Sequence, residues 1–248
     1  MKNTISIKYR FLTALFLAQG LNLLSKGKRY GFTYERAKET FGARLSFLSS
    51  RLLREKLIEV QNLGFGKEYK LSYLGKNALL ERYPNLNFAR FSASKDLPGN
   101  LLLVSFNIPE NRRRLRDKLR YSLNHLKFGP LHKSLYLTPH LGYKETQRTL
   151  SSLGVLDDCL ILPLRLEDFE KVDDFLSKTA LFCNLRPIAE NYERSLALWQ
   201  VTAKVSDFLE RFIDGFVEDP FLPGALLPKS WPLPKALEVL GSILGPKP

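Results

Sequence analysis

The chain has 248 residues, 44% of them hydrophobic, and a formal net charge of +13. This composition can form buried cores and excludes a wholly disordered chain, and the length favours two or three compact units. No apolar run reaches the roughly 18 residues of a membrane span. Two cysteines, Cys159 and Cys183, are too few for a disulfide scaffold or a four-ligand zinc site. We therefore expect a reduced, soluble, cytoplasmic protein.

The positive charge is concentrated in the first part of the chain. Residues 1–90 hold 17 Lys and Arg against 6 acidic residues, whereas residues 156–248 hold 10 against 15. A basic N-terminal part followed by an acidic C-terminal part is typical of a module that binds a polyanion, joined to a module used for packing or assembly. The alternative explanation of the positive charge is that the lysines are solvated surface residues, or that the proteins of the source organism are basic in general.

An apolar segment near the start resembles a secretion signal, because basic residues precede the stretch from Phe11 to Ala18. The apolar pattern, however, continues at Leu21, Leu23 and Leu24, past the polar Gln19. Its periodicity predicts one helix of about four turns that belongs to the folded protein.

Two further helices follow a Gly-bearing link. Thr33 is a suitable N-cap for a short helix to Phe41, and Gly42 ends it. The segment 43–56 predicts a helix whose buried face holds Leu45, Leu48, Leu52 and Lys56. At 100° per residue, its other side is cationic, hydroxylic and suited to DNA bases and phosphates. The residues predicted to contact DNA there are Arg44, Ser46, Phe47, Ser50, Arg51 and Arg54.

A β-hairpin and a closing helix complete the first predicted domain. Strands are predicted at 57–60 and 68–72, around a glycine-bearing tip at 61–67, before a helix at 73–83. This order predicts a winged helix-turn-helix DNA-binding domain over residues 1–88, with Lys67 and Lys70 contacting DNA from the wing. A winged helix used only for protein contacts is the alternative.

After a linker, strands and helices alternate. The pattern predicts strands at 101–108, 134–138 and 159–166 and helices at 112–127 and 144–153, which indicates a ferredoxin-like domain over residues 98–166. Its first helix is rich in arginine and also carries Arg114 and Lys118. Either accessory phosphate contacts or a solvated helix face would explain the cations Arg112, Arg113, Arg116 and Arg120.

The last third predicts a mainly helical domain over residues 167–248. Helices are expected at 167–179, 187–198, 201–217 and 234–244, with an extended proline strap between Pro220 and Pro234 that Trp231 anchors. An aromatic stripe at helical spacing predicts a core or a dimer seam, and its members are Phe208, Leu209, Phe212, Ile213 and Phe216.

Three segments carry a family resemblance. Residues 101–140 read LLLVSFNIPENRRRLRDKLRYSLNHLKFGPLHKSLYLTPH, residues 50–60 read SRLLREKLIEV, and residues 219–237 read DPFLPGALLPKSWPLPKAL. In this order they resemble the PaaX family of transcriptional repressors, whose middle domain is similar to the small ferredoxin-like subunit of CRISPR spacer integration. The resemblance implies a repressor whose effector is an aryl-acyl coenzyme A thioester, although no stretch here marks a thioester pocket.

Catalytic and metal chemistry have no positive support in the sequence. In nuclease relatives of the central fold the first strand ends in an Asp that binds a divalent ion, and this chain has Asn107, a weaker ligand. His125, His132 and His140 lack the short paired spacing of a zinc site. We predict no catalytic residues, no metal and no cofactor. The alternative function is a metal-dependent nuclease, or a nuclease-derived CRISPR-type subunit, that acts through the central domain.

The sequence therefore predicts an α+β protein with an N-terminal winged helix-turn-helix, a central ferredoxin-like domain and a mainly helical C-terminal domain. The expected function is a ligand-responsive repressor that binds double-stranded DNA at a palindromic operator as a homodimer. A third possibility is an architectural protein, which would bind duplexes of any sequence equally.

Overall fold

The computed structural model describes residues 5–24, 30–64, 66–89, 100–126, 128–139, 143–165, 185–222 and 227–245. The chain divides into two compact units. The first contains Met1–Ser92, Arg186–Asp219 and Trp231–Pro248, and the second contains Ala93–Leu185 and Pro220–Ser230. Over the residues described, no helix combines the length and the apolar character needed to cross a lipid bilayer.

The first unit begins with the predicted order of helices and hairpin strands, to which the structure adds a two-residue strand before the second helix. The elements are α1 (Ile7–Leu24), β1 (Phe32–Thr33), α2 (Tyr34–Phe41), α3 (Arg44–Arg54), β2 (Ile58–Leu63), β3 (Gly66–Leu71) and α4 (Tyr73–Arg82). The strands form an antiparallel sheet in the order β1-β3-β2. Its core is an aromatic cluster in which Phe11 lies against Phe32, Phe41 and Tyr69, at ring-centroid distances of 5.1–5.8 Å.

Local signals explain where α2 begins and ends. The Thr33 hydroxyl accepts a hydrogen bond from the backbone N–H of Arg36, and Thr33 is the N-cap of α2, as predicted. Gly42 has a φ of +56°, a conformation that strongly favours glycine, and its backbone N–H donates to the Lys38 carbonyl. The turn at Gly42 therefore separates α2 from α3.

The second unit is an α+β layer structure. Its elements are β4 (Asn100–Phe106), α5 (Arg113–His125), β5 (Gly129–His132), β6 (Leu135–Thr138), α6 (Tyr143–Ser152) and β7 (Cys159–Arg165). All neighbouring strands are antiparallel in the order β5-β6-β4-β7, which is ferredoxin-like topology. The helices cover one face of the sheet, and Val104, Leu119 and Leu150 are fully buried in the core beneath them.

Three C-terminal helices complete the described chain. They are α7 (Leu185–Thr202), α8 (Val205–Phe216) and α9 (Leu233–Leu244), and their helical segments from Arg186 onward belong to the first unit. The aromatic stripe of α8 is buried, and the rings of Phe208, Phe212 and Phe216 stack in series at 5.6 and 5.5 Å. Trp231 packs edge-to-face on Tyr192 of α7, so it anchors the chain as predicted.

The structure corrects two sequence-based expectations. Lys56 does not lie on the buried face of α3, because the helix ends at Arg54 and Lys56 is exposed with a φ of 55°. A fourth strand, β5, follows α5, whereas the sequence pattern predicts only three strands for this unit. It pairs with β6 through an irregular register between Pro130 and His132.

Several predicted segments lie outside the described residues. These are the helix at 167–179, the apolar run 180–183, most of the linker before Asn100 and part of the proline strap. The α+β class is confirmed. The division into domains at 1–88, 98–166 and 167–248 stays a prediction about independently folding parts.

Candidate nucleic-acid interface

Helix α3 separates an apolar face from a cationic one. Leu45, Leu48 and Leu52 are buried, with 0–6% of their surface exposed. The opposite side is fully solvent-facing, and on it the ring of Phe47 is 74% exposed. All six predicted DNA contacts of the helix are exposed, namely Arg44, Ser46, Phe47, Ser50, Arg51 and Arg54. The face combines guanidinium groups for guanine edges and phosphates with an apolar ring that suits a thymine methyl group.

One of these arginines is already engaged. The Arg51 Nε–H donates to Glu55 at 2.7 Å, and the Lys8 ammonium donates to the other oxygen of the same carboxylate at 2.8 Å. Hydrogen bonds from Lys8 and then Arg51 lower the pKa of Glu55. Glu55 is therefore ionised at neutral pH, and a phosphate or base that binds Arg51 must compete with it.

Arg44 and Arg54 differ from Arg51 in this respect. Neither makes a hydrogen bond or ion pair to another residue in the described part of the chain. Arg44, the first residue of α3, also lies at a groove of about 510 Å³ whose floor includes Phe41, Leu209 and Ile213. These two guanidinium groups can reach a ligand without first giving up a protein partner.

The β2–β3 hairpin, which is the predicted wing, is fixed to the end of α3. The Ser72 hydroxyl donates to the carbonyl of Lys56 at 2.6 Å and accepts from the backbone N–H of Gly75 at 3.0 Å, which caps α4. A Cβ atom at Gly75 would collide with the Leu57 carbonyl oxygen, so a residue without a side chain permits this close approach. These contacts hold the hairpin in a set position relative to the cationic face of α3.

The two wing lysines are not equivalent. They are three residues apart on β3, so their side chains leave opposite faces of the strand. Lys70 is paired in register with Glu59 and donates to the Gln61 side chain, whereas the exposed Lys67 is paired with Asn62 near the tip. Of the two, Lys67 is the lysine that is available to a phosphate.

The predicted accessory arginines of the second unit are held by partners within that unit. Arg112 donates to Asp158 at 2.8 Å, and Arg116 donates to Glu110 at 2.7 Å. Arg120 donates twice to the Lys133 carbonyl, and Arg113 lies 3.8 Å from Asp117. Hydrogen bonding and charge from Arg116 lower the pKa of Glu110, so this carboxylate is ionised at neutral pH.

The end of the first strand in the second unit does not provide a cluster of metal ligands. Asn107 is exposed, and its backbone N–H donates to the carbonyl of Asp158, whose carboxylate is bound to Arg112. Within the described ranges, no three His, Cys, Asp or Glu side chains are close enough to share an ion. Burial raises the pKa of the nearby Cys159 thiol to about 11, which keeps it protonated at neutral pH. His140 and Cys183 lie outside the described residues.

Comparisons with known proteins agree with this architecture. The structure is similar to that of the uncharacterized protein Rv0674 from Mycobacterium tuberculosis, with a TM-score of 0.50 and 20% sequence identity over 92% of this chain and 95% of that chain. This likeness shows the fold alone. No curated protein matches the chain significantly.

A family model provides the more specific finding. Residues 95–174, which include all of the second unit's sheet, match the PaaX protein central Cas2-like domain. The match covers the segment 101–140 on which the sequence-based resemblance depends, and it confirms that resemblance. This match identifies residues 95–174 as a domain similar to the central domain of PaaX proteins.

Proposed function

We propose that this protein is a sequence-specific DNA-binding transcriptional regulator that acts as a repressor, and that residues 1–88 form its winged helix-turn-helix. The observation that carries the proposal is the face of α3, where six exposed side chains of suitable chemistry lie opposite a leucine core. The match of residues 95–174 to the central domain of PaaX proteins supports a regulatory rather than an enzymatic role.

The proposed docking places α3 in the major groove. Ser46 and Ser50 are small enough to let the helix approach the base pairs closely, while Arg51 and Phe47 reach base edges. Arg44 and Arg54, at the two ends of the helix, contact flanking phosphates. Lys67 at the tip of the wing binds a further phosphate, and Lys70 serves mainly to hold the hairpin through Gln61.

Specific repression favours a dimer. A single winged helix contacts only a few base pairs, so two copies on a two-fold axis provide the affinity and the palindromic site that a repressor needs. We therefore propose a homodimer that acts on chromosomal DNA in the cytoplasm. The resemblance implies an effector of the acyl coenzyme A type. To change DNA binding, such an effector must bind with different affinity to two relative arrangements of the two DNA-binding domains in the dimer.

Selection of bound fragments from genomic DNA tests the proposal. Recurrent enrichment of an inverted repeat supports a dimeric repressor, and the absence of any enriched motif contradicts it. Equal binding to all duplexes at matched salt would indicate an architectural protein instead. Magnesium-dependent cleavage that disappears in Asn107→Ala would establish the nuclease alternative.

Two variants separate base reading from phosphate binding. Arg51→Ala should reduce the preference for the selected site over unrelated DNA, because it removes a base contact. Lys67→Ala should weaken binding to all sites alike and reduce the slope of log K against log salt by about 1. Lys76→Ala, which removes one exposed charge from α4, is the control. Indistinguishable effects of the first two changes would contradict this assignment of roles.

A further inference from the structure

We propose that α5 of the second unit carries a binding surface for single-stranded nucleic acid, formed by Arg114, Lys118, Tyr121 and His125. We call these four residues the α5 stripe. The surface is separate from the duplex-reading face proposed for α3, and the inference does not depend on that function. It also differs from the four accessory arginines that the sequence suggested.

The spacing of the α5 stripe places its members on one side of the helix. They follow one another at intervals of four, three and four residues, which at 100° per residue confines them to an arc of about 60°. Leu119 and Leu123 point into the core from another side of the helix. All four members of the stripe are exposed, and Tyr121 is exposed to 70% of its surface.

Ion pairing sorts the cations of α5 into two groups. Arg113, Arg116 and Arg120 leave a different flank of the helix, where they meet Glu110 and Asp117. Arg114 and Lys118 make no hydrogen bond or ion pair with any residue that the structure describes. The positive charge of the stripe is therefore not paired with an acid among the described residues, and it complements a polyanion.

The aromatic pair identifies the kind of polyanion. The rings of Tyr121 and His125 are nearly parallel, at 11°, with centroids 6.0 Å apart, and they lie in line with the two free cations. An exposed aromatic plate beside cations offers a stacking surface for a base whose phosphates bind the cations. In a duplex the faces of the bases are already covered by their neighbours. The stripe therefore fits an unpaired strand better than double-stranded DNA.

Fluorescence anisotropy with a labelled 20-nucleotide oligothymidylate tests the proposal on the full chain. Tyr121→Ala should weaken binding at least about fivefold, the lower end of the effect of one stacked base. The ring rather than the hydroxyl provides the stacking surface, so Tyr121→Phe should retain binding. The double variant Arg114→Ala/Lys118→Ala should reduce the salt slope by about 1.4, or 0.7 for each lost contact to a single strand.

A charge-matched control separates a specific site from general attraction. Arg113→Ala/Arg116→Ala removes the same two charges from α5, but these side chains are paired with acids. Its affinity should stay within about twofold of the wild type. The proposal is overturned if this control loses as much affinity as the stripe variant, or if the wild-type chain does not bind the oligothymidylate.

Two further outcomes bear on the assignment. Loss of oligothymidylate binding in Arg54→Ala, with the stripe variants unaffected, would place the bound strand on α3 and refute the proposal. A 20-base-pair duplex could also compete with the oligothymidylate as strongly as the unlabelled oligothymidylate does. If that competition is lost in the same stripe variants, the preference for single strands is refuted. Binding of the selected duplex to α3 is measured separately in each variant, so failure of one proposal is distinguishable from failure of the other.

Discussion

The Glu55 carboxylate binds Arg51 at 2.7 Å and Lys8 at 2.8 Å, and we therefore expect it to limit the affinity of the proposed DNA-reading face. Replacing it with glutamine keeps the size of the side chain and removes the negative charge. The Glu55→Gln variant should therefore bind duplex DNA more tightly than the wild type. The gain has two sources: Arg51 no longer has an ionised competitor, and a negative charge beside the phosphates is removed.

The expected magnitude follows from the exposure of the pair. Arg51 and Glu55 have exposed side-chain fractions of 53% and 33%, so their ion pair is worth about 0.2–1 kcal/mol. Releasing Arg51 should thus tighten DNA binding by about 1.4- to 5-fold. If Arg51 then takes a phosphate that it did not bind before, the slope of log K against log salt should steepen by about 0.9.

The pH dependence provides an independent check. The ion pairs hold the pKa of Glu55 below its usual value of 4.5, so the carboxylate stays charged throughout the neutral range. Its contribution to folding is present above about pH 4.5 and is lost as the pH falls through the lowered, folded-state pKa. Because Glu55 does not titrate between about pH 6 and 8, the difference in DNA affinity between wild type and variant should be constant over this range.

Anisotropy titrations with one selected duplex at several salt concentrations measure both quantities. The control is Glu81→Gln on α4, which changes the net charge equally at an exposed carboxylate with no hydrogen bond or ion pair to any other described residue. A gain of the same size in the control would mean that only the net charge matters. Unchanged or weaker binding of Glu55→Gln, with its fold intact, would refute the competition between Glu55 and DNA.

Two other predictions concern buried groups. Asn85→Ala should lower the free energy of unfolding by about 1–3 kcal/mol in urea titrations, because the buried Asn85 amide donates to the carbonyls of Val217 and Asp219, both at 2.9 Å, and both hydrogen bonds are lost. Unchanged stability would show that these two hydrogen bonds do not contribute to the fold. Cys159, with a pKa of about 11, should be about one-thousandth thiolate at pH 8, so alkylation by iodoacetamide followed by peptide mapping should be slow there and accelerate up to pH 11. Rapid alkylation at pH 8 in the folded protein would contradict the burial of this thiol.

Local sequence patterns predicted the main elements because the signals act within a few residues. The leucines of α3 recur every three or four positions, so both of its faces could be assigned before any tertiary contact was known. The N-cap Thr33 and the glycine at 42 likewise act on adjacent backbone. The strand β5 escaped prediction because it is four residues long and exists through its pairing with β6.

The availability of each cation could not be predicted in the same way. Lys8 and Glu55 are 47 positions apart, and so their ion pair follows from packing of the first unit rather than from local spacing. Arg112 and Asp158 are separated by 46 positions and meet at the start of β7. The hairpin lies between these long-range contacts and the local signals. Once its register is known, the pairing of Glu59 with Lys70 follows.

Net charge alone is therefore a poor guide to where a nucleic-acid surface would lie on this protein. In and just before α5, arginines that the sequence suggests as phosphate contacts are instead paired with Glu110, Asp117 and Asp158. A cluster of arginines can stabilise the fold through ion pairs, or it can bind an anionic ligand. The positions of the acidic side chains in the structure distinguish these two roles. By this criterion the cations available to phosphates include Arg44 and Arg54 on α3, Lys67 on the hairpin, and Arg114 and Lys118 on α5. Because the cations of α3 and those of α5 each share a helix face with an exposed aromatic ring, apolar contact on α3 and stacking on α5, as well as charge, would select the nucleic acid on each proposed surface.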